Sequence, residues 1–157
     1  MNEKRIRVRA IIVKDEKLVS MYREKQDRIF YTFPGGGMEQ NETEEECVKR
    51  EVFEEFGIDV EPLKKVYTYE NQNSIEHFYI AKWVSGEFGS GTGEEFQDNR
   101  NNGLYIPKLI DIAKIPTLPL MPPEISQLFY NDYQANGTNL RNNVKFVSGE
   151  IKWMFLN

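Results

Sequence analysis

Apolar and polar residues alternate through the first part of the chain, and this alternation predicts β-strands. Between Arg5 and Val13 the apolar side chains fall on every second residue, so they share one face of a half-buried strand. These side chains belong to Ile6, Val8, Ala10 and Ile12. Further β-prone runs, bounded by polar or glycine-rich turns, predict strands over Leu18–Tyr22, Ile29–Phe33, Val60–Tyr69, Ile75–Val84 and Leu104–Ile106.

A helical period follows the glycine-rich stretch Pro34–Gly37, which we expect to stop the third strand. The pattern predicts a helix over Glu44–Phe56, whose buried stripe recurs at four-residue spacing. Thr43 followed by Glu46 forms a capping-box sequence at its start, and Gly57 suits the position just past its end. The apolar residues of this stripe are Val48, Val52 and Phe56.

The second half of the chain mixes strands, a long loop and a second helix. Two prolines, Pro122 and Pro123, introduce a helix over Glu124–Gln134, and a short helix is expected over Lys108–Ala113. The Gly- and Asn-rich segment Ser85–Asn102 reads as a loop of functional length. Two short β-prone runs near the end predict a hairpin, Val144–Val147 with Ile151–Phe155.

These elements together favour an α+β sandwich, because strands dominate and the two main helices are separated in sequence. A chain of 157 residues fits one domain, residues 1–157, in which residues 136–157 form a C-terminal hairpin extension. No apolar run is long enough to cross a bilayer, and the polar start of the chain lacks a secretory signal core. We therefore expect a cytoplasmic protein with no membrane partner.

The net charge of −5 is concentrated in one segment. Residues 36–58 contain eight acidic and two basic residues, a net charge of −6 that leaves +1 for the rest of the chain. A protein that binds nucleic acid is normally basic, so nucleic acid is not an expected partner. The concentration of acid predicts bound cations, and a solvated acidic helix face is the alternative.

Cysteine and histidine are each represented once. The lone Cys47 excludes an internal disulfide and a multi-cysteine zinc site, and we expect it to be a small buried residue on the predicted helix. His77 lies at the start of a predicted strand and is not required for the chemistry considered below. Solvated carboxylates that complement the helix dipole are expected near the helix start, at Glu39, Glu44, Glu45 and Glu46.

Three glutamates of the predicted helix form a distinctive cluster. Glu51, Glu54 and Glu55 fall within about a quarter of the helix circumference, beside the buried stripe, and Arg50 lies next to Glu54. Like charges at this spacing repel one another, so the arrangement predicts a neutralising cation. Clustered hard oxygen donors suit Mg²⁺ or Mn²⁺, and Mg²⁺ commonly shares its coordination sphere with phosphates. A phosphoanhydride substrate is therefore expected.

The spacing of these residues resembles the complete Nudix box. Gly36, five residues, Glu42, seven residues and then the run Arg50–Ile58 reproduce every fixed position of that pattern. The resemblance implies a Nudix fold, with a mixed β-sheet packed between helices in an α/β/α sandwich. It also implies that an ion pair between Arg50 and Glu42 braces the site. The metal ligands that it implies are Glu51, Glu54, Glu55 and the backbone carbonyl of Gly36.

The same resemblance implies a further catalytic glutamate in the long loop. Glu94 and Glu95 are the candidates there, and Glu95 is our choice. Arginines on the first two strands of Nudix proteins reach substrate phosphates, which makes Arg9 and Arg23, together with Arg7, candidates here. Candidate substrate contacts also include Phe33, which precedes the box, and several aromatic residues that could stack on a base: Phe30, Tyr31, Tyr67, Tyr69 and Tyr79.

The function that this resemblance implies is Mg²⁺-dependent hydrolysis of a nucleoside triphosphate or a related nucleoside diphosphate-linked compound, by water attack at phosphorus. ADP-ribose, nucleotide sugars and dinucleoside polyphosphates are alternative substrates. A non-catalytic nucleotide sensor is the alternative from another class, although sensors usually lose a box glutamate and this chain keeps all three. The C-terminal strands could pair across a homodimer.

Overall fold

The computed structural model describes residues 3–91 and 103–149, which form two mixed β-sheets, two α-helices and one 3-10 helix. Helix α1 spans Glu44–Phe56, helix α2 spans Pro123–Asn136 and the 3-10 helix spans Ile112–Thr117. Strands β1 to β10 span, in order, Arg5–Ile11, Val13–Lys14, Lys17–Lys25, Arg28–Thr32, Gly35–Gly37, Ile58–Glu70, Ser74–Gly86, Leu104–Asp111, Leu120–Met121 and Lys145–Ser148. Among these residues, no helix is long and apolar enough to cross a membrane.

The first sheet has the strand order β10-β6-β7-β1-β5. Strand β1 pairs in parallel with β7 and antiparallel with the short glycine strand β5. The second sheet has the order β2-β3-β4-β9, and β8 pairs antiparallel with β3. Pairing of both orientations within each sheet agrees with the predicted mixed α+β architecture.

The two helices cover opposite faces of the first sheet, as an α/β/α sandwich requires. Helix α1 buries its predicted apolar stripe in a cluster with Val8 and Ala10 of β1 and Tyr79 of β7. Helix α2 buries Ile125 and Phe129 in a second cluster on the other face. Neighbouring residues of one strand alternate between the two clusters, because successive side chains of a strand point to opposite faces.

Strand β8 overturns one prediction. The sequence predicts a short helix over Lys108–Ala113, but residues 104–111 form a strand and the 3-10 helix begins only at Ile112. The cause is tertiary, since this strand pairs with β3 from Leu104 to Asp111. Pro107 lacks a donor N–H, yet it is tolerated because no strand beyond β3 pairs with β8 among the described residues.

Two other segments differ from their predicted roles. Strand β4 ends at Thr32, but the glycines that follow form β5 on the edge of β1 and so do more than end a strand. Strand β10 matches the first half of the predicted hairpin and pairs in parallel with β6. The second half, Ile151–Phe155, lies outside the described residues, as does most of the loop predicted over Ser85–Asn102.

Candidate active site

Both ends of α1 are fixed by the local contacts that the sequence predicts. Oγ1 of Thr43 accepts a hydrogen bond from the N–H of Glu46 at 3.1 Å, and Oε1 of Glu46 accepts one from the N–H of Thr43 at 2.9 Å. At the other end Gly57 adopts φ 75°, and its N–H donates to the carbonyl of Phe53. These contacts set where the helix begins and ends, and therefore where its glutamates lie.

Arg50 joins three carboxylates of the site to the glycine strand. Its Nε and Nη2 donate to both oxygens of Glu42, at 2.6 Å and 3.0 Å, which is the bracing ion pair that the resemblance implies. Its Nη1 donates to Glu51 at 3.1 Å and to Glu54 at 3.3 Å, and its Nη2 donates to the carbonyl of Gly37 at 3.2 Å. The hydrogen bond from Arg50 lowers the pKa of Glu42 to about 2.

The glycine strand, β5, lies directly against the carboxylates of Glu51 and Glu55. The N–H of Gly35 donates to Oε1 of Glu55 at 3.0 Å. Gly35 has φ 140°, and a Cβ there would lie 2.1 Å from the carbonyl oxygen of Val8, so only glycine fits. A Cβ on Gly36 would lie 2.5 Å from Cδ of Glu51, so this carboxylate occupies the space that the missing side chain leaves.

A cavity of about 630 Å³ opens beside this strand, and acidic and basic side chains line it together. Glu51 and Glu55 of α1 and Glu76 of β7 face it. Its basic lining comes from three elements, β1, β3 and β4, and comprises Arg5, Arg7, Arg9, Arg23, Lys25 and Arg28. Cations beside carboxylates in one concave site suit an anionic ligand that a metal ion also binds.

Two of the predicted arginines occupy different environments in this cavity. Arg9 is partly buried and pairs with Glu76. Although burial opposes its charge, nearby carboxylates raise the pKa of Arg9 overall. The guanidinium of Arg23 stacks on Tyr105, 3.7 Å from the ring centre. Arg7 also lines the cavity, and burial together with repulsion from its arginine neighbours lowers its pKa. An anion would relieve this repulsion.

A family model described as a NUDIX domain matches residues 3–120. The chain belongs to the Nudix family. A curated relative, the 8-oxo-dGTP diphosphatase of Proteus vulgaris, is 37% identical over 59 residues, which are 34% of this chain and 53% of the relative. The match therefore spans about half the length of that relative.

Solved structures share the fold at low sequence identity. A NUDIX hydrolase from Nitrosomonas europaea superposes with a TM-score of 0.72 at 18% identity, covering 96% of this chain and 81% of that one. An ADP-ribose pyrophosphatase from Streptococcus suis gives 0.62 at 18% identity, covering 94% and 100%. A MutT protein from Bacillus halodurans gives 0.62 at 17% identity, covering 93% and 89%. These likenesses establish the fold.

The donor atoms of this Nudix box are of the type that a hard divalent cation prefers. Three carboxylates and the carbonyl of Gly36 offer only oxygen. In the part of the chain that the structure describes, however, no three histidine, cysteine or acidic side chains are grouped as metal ligands. Glu51 and Glu54 both accept hydrogen bonds from Arg50 instead. The side chain of Glu54 is 45% exposed, so it has room to turn toward a cation.

Phe33 was predicted as a substrate contact, and this prediction is wrong for its side chain. The ring is 1% exposed and packs edge-on against Phe78 and Phe129 between the sheet and α2. Its backbone carbonyl instead accepts a hydrogen bond from Arg9 at 3.1 Å. The ring belongs to the apolar cluster beneath α2 and not to the cavity lining.

Glu44 was predicted to be solvated, and this prediction is also wrong. Its carboxylate accepts from the hydroxyl of Tyr79 at 2.7 Å, and it lies 2.9 Å from Nζ of Lys65 and 3.5 Å from Nε2 of His77. Burial lowers the pKa of His77, whose other ring nitrogen lies 2.9 Å from the hydroxyl of Thr68. This cluster attaches the start of α1 to strands β6 and β7.

Cys47 is fully buried, as predicted, and burial is the main cause that raises the pKa of its thiol to about 12. The thiol therefore stays protonated and is unsuited to act as a nucleophile. The predicted loop glutamates, Glu94 and Glu95, lie outside the described residues.

Five charged or aromatic residues that line the cavity were not assigned to the site from the sequence: Arg5, Lys25, Arg28, Glu76 and Tyr105. Arg5 could have been found, because Arg5, Arg7 and Arg9 alternate with the buried face of β1 and must share the opposite face. The position of Glu76 carried no local signal, since it depends on the parallel pairing of β7 with β1.

Proposed function

We propose that this chain is a divalent-metal-dependent pyrophosphohydrolase that cleaves a phosphoanhydride bond of a nucleoside triphosphate or a related nucleoside diphosphate-linked compound. One observation carries this proposal. Glu51 and Glu55 of the Nudix box open into the same cavity as six basic side chains. A metal-bound pyrophosphate needs both kinds of residue, because carboxylates hold the cation and basic groups hold the phosphates.

The ligands that would hold the cation are Glu51, Glu54, Glu55 and the carbonyl of Gly36. Mg²⁺ is the proposed ion, and Mn²⁺, which favours the same oxygen donors, is a possible substitute. A divalent cation in this position supplies charge that polarises phosphoryl oxygens and makes a bound water more acidic. Arg50 orients two of these glutamates through the hydrogen bonds described above.

Two arginines of the cavity are proposed to bind and orient the substrate. Arg9 and Arg23 are proposed to contact its phosphates through charge-assisted hydrogen bonds. Because Nε and Nη1 of Arg9 already donate to Glu76 and to backbone carbonyls, its proposed phosphate contact is made by Nη2. Water then attacks one phosphorus, the new P–O bond forms as the bond to the leaving group breaks, and the leaving group departs with the bonding electrons. A carboxylate of the loop, proposed as Glu95 with Glu94 as the alternative, takes the proton of the water.

The basic lining favours a substrate with more than two phosphates. Among residues 3–91 and 103–149, no carboxylate lies within ion-pair distance of Arg5, Arg7, Lys25 or Arg28. A nucleoside triphosphate, whose terminal phosphate carries additional charge, would neutralise more of these groups than ADP-ribose or a nucleotide sugar would. A nucleotide substrate also agrees with the diphosphatase activity named for the Proteus relative.

Two alternatives remain as proposals of lower rank. Hydrolysis of ADP-ribose is favoured by the fold shared with the Streptococcus ADP-ribose pyrophosphatase. A nucleotide sensor without catalysis would keep the basic cavity, but it has no need for all three box glutamates. A homodimer formed through the C-terminal strands stays a prediction.

The experiment that tests the proposal is a substrate panel. Nucleoside triphosphates, ADP-ribose, nucleotide sugars and dinucleoside polyphosphates are incubated with Mg²⁺, and the products are separated by chromatography. We expect triphosphates to be cleaved and EDTA to stop the reaction, with activity returning when Mg²⁺ is added. Binding of nucleotides with no turnover of any compound would contradict the enzymatic proposal and support the sensor.

A further inference from the structure

Glu76 is a carboxylate of the cavity that lies outside the Nudix box. It comes from β7, it is only 8% exposed, and it faces the cavity together with Glu51 and Glu55. Burying a carboxylate costs free energy unless a partner compensates its charge. The partner here is Arg9 of the neighbouring strand β1, whose Nε donates to Oε1 of Glu76 at 3.0 Å.

Arg9 uses a second nitrogen to hold the backbone that leads into the box. Its Nη1 donates to the carbonyl of Phe33 at 3.1 Å and to the carbonyl of Gly35 at 3.2 Å. Because the guanidinium is rigid and planar, fixing Nε against Glu76 also fixes the direction in which Nη1 points. The orientation of these two backbone contacts therefore depends on Glu76.

Gly35 receives support from both sides. Its carbonyl accepts from Arg9, and its N–H donates to Glu55 at 3.0 Å. Strand β5 is also paired with β1, which places Gly36 opposite Val8. A continuous line of contacts thus runs from Glu76 through Arg9 and Gly35 to Glu55, one of the proposed metal ligands, and passes next to the carbonyl of Gly36.

We propose that Glu76 is a positioning residue, which through Arg9 holds the glycine strand and Glu55 in the geometry that the metal site requires. The meaning of this role for turnover rests on the proposed function, whereas the contacts do not. A purely structural ion pair would stabilise the fold without affecting the site. The role proposed here instead couples the charge of Glu76 to the glycine backbone and to metal affinity.

The test uses the full chain with the substitution Glu76→Gln. Glutamine keeps the size of the side chain but removes the charge that fixes Arg9. The matched control is Glu70→Gln on the neighbouring strand β6, because Glu70 also pairs with a basic residue, Lys4, at 2.6 Å but is exposed and does not line the cavity. The first measurement is the backbone amide NMR spectrum without metal, in which Glu76→Gln is expected to shift Gly35 and Gly36 and the control is not.

The second measurement is Mg²⁺ affinity by titration calorimetry without nucleotide. Loss of groups that support metal ligands typically lowers affinity about 10- to 100-fold, and we expect a fall of this size for Glu76→Gln and none for Glu70→Gln. Unchanged glycine amides and wild-type Mg²⁺ affinity in Glu76→Gln would overturn the proposal. Equal losses in both variants would also overturn it, because they would indicate a general effect of charge removal.

A second variant keeps the test decisive if Glu76→Gln does not fold. Arg9→Lys retains the positive charge beside Glu76 but lacks the fork that reaches the carbonyl of Gly35. It is expected to shift the same glycine amides and to weaken Mg²⁺ binding, and wild-type behaviour would overturn the proposal. If the wild type binds Mg²⁺ but hydrolyses nothing, the proposed function fails while these two measurements still decide the role of Glu76.

Discussion

Helices α1 and α2 pack on opposite faces of one sheet, and they treat their acidic side chains in opposite ways. On α1, Glu51 and Glu54 share the single guanidinium of Arg50 with Glu42. On α2, Asp132 alone receives donors from both Tyr67, at 2.7 Å, and Arg141, at 2.7 Å. At α1, three carboxylates accept hydrogen bonds from one guanidinium, whereas at α2 one carboxylate accepts hydrogen bonds from two side chains.

This difference is the one expected between a helix that binds a metal ion, as proposed for α1, and a helix that supports the fold. A carboxylate with several donors is neutralised by the protein and contributes to packing, as Asp132 does between α2 and β6. At α1 one guanidinium is hydrogen-bonded to three carboxylates, so we expect negative charge there that can attract a further cation. This expectation is the physical basis for the proposed metal site.

The largest expected effect is on turnover when α1 loses a carboxylate. Glu54→Gln should lower kcat/KM by more than about 100-fold, because even the partners of metal ligands account for about 10- to 100-fold. The side chain is half-exposed, so the fold should be unchanged by circular dichroism. Asp132→Asn on α2 is the control, and it should retain turnover while melting at a lower temperature. An equal loss of kcat/KM in both variants would contradict the proposal that α1, and not α2, carries the catalytic carboxylates.

The next effect is on stability when α2 loses its main apolar anchor. Phe129 is fully buried against Phe33 and Tyr133, and Phe129→Ala should lower the free energy of unfolding by about 3–5 kcal/mol. Urea denaturation followed by tryptophan fluorescence measures this change. The folded fraction of the variant should keep its Mg²⁺ affinity, and loss of that affinity in folded protein would show that α2 also supports the metal site.

A smaller effect, confined to acid, concerns the brace between Glu42 and Arg50. Because folding lowers the pKa of Glu42 from 4.5 to about 2, the ionised pair stabilises the protein above about pH 4.5. This stabilisation is lost as the pH falls from about 4.5 toward 2. Between these pH values, the melting temperature of Glu42→Gln should depend less steeply on pH than that of the wild type. The same slope in both would mean that the pair does not stabilise the fold.

The smallest effect concerns the start of α1, where a side chain caps the helix, in contrast to α2. Thr43→Ala removes the acceptor for the N–H of Glu46 and should cost about 1 kcal/mol of stability in chemical denaturation. Helix α2 begins at Pro123 with no side-chain cap, and the fixed φ of proline favours its start instead. A Thr43→Ala variant as stable as the wild type would indicate that α1 also does not depend on a side-chain cap.

Local patterns were enough to predict the elements that carry the site. The alternation in β1 and the capping signals around α1 act over a few residues, and the structure contains both elements at the predicted places. The Arg50–Glu42 pair was also predicted, because the spacing of the Nudix box encodes it. The burial of Cys47 was predicted from its residue type, since a free cysteine behaves as a small apolar residue.

Contacts between distant strands could not be predicted in this way. Glu76 reaches Arg9 only because β7 pairs in parallel with β1, a contact across 67 residues. Phe33 was misassigned because the direction of a side chain just past a strand depends on register, and a shift of one residue reverses it. The start of strand β8, Leu104–Ile106, was predicted as a strand, but its continuation from Lys108 was predicted as a helix because its pairing with β3 outweighs its local preference.

The central claim is that the glutamates of α1 bind a divalent cation. Titration calorimetry with Mg²⁺ tests this claim most directly. Wild-type protein is titrated with and without a nucleoside triphosphate, next to Glu54→Gln and the α2 control Asp132→Asn. The account predicts Mg²⁺ uptake by the wild type and the control, and strongly weakened uptake by Glu54→Gln. No uptake by the wild type under either condition, or equal uptake by all three proteins, would contradict it.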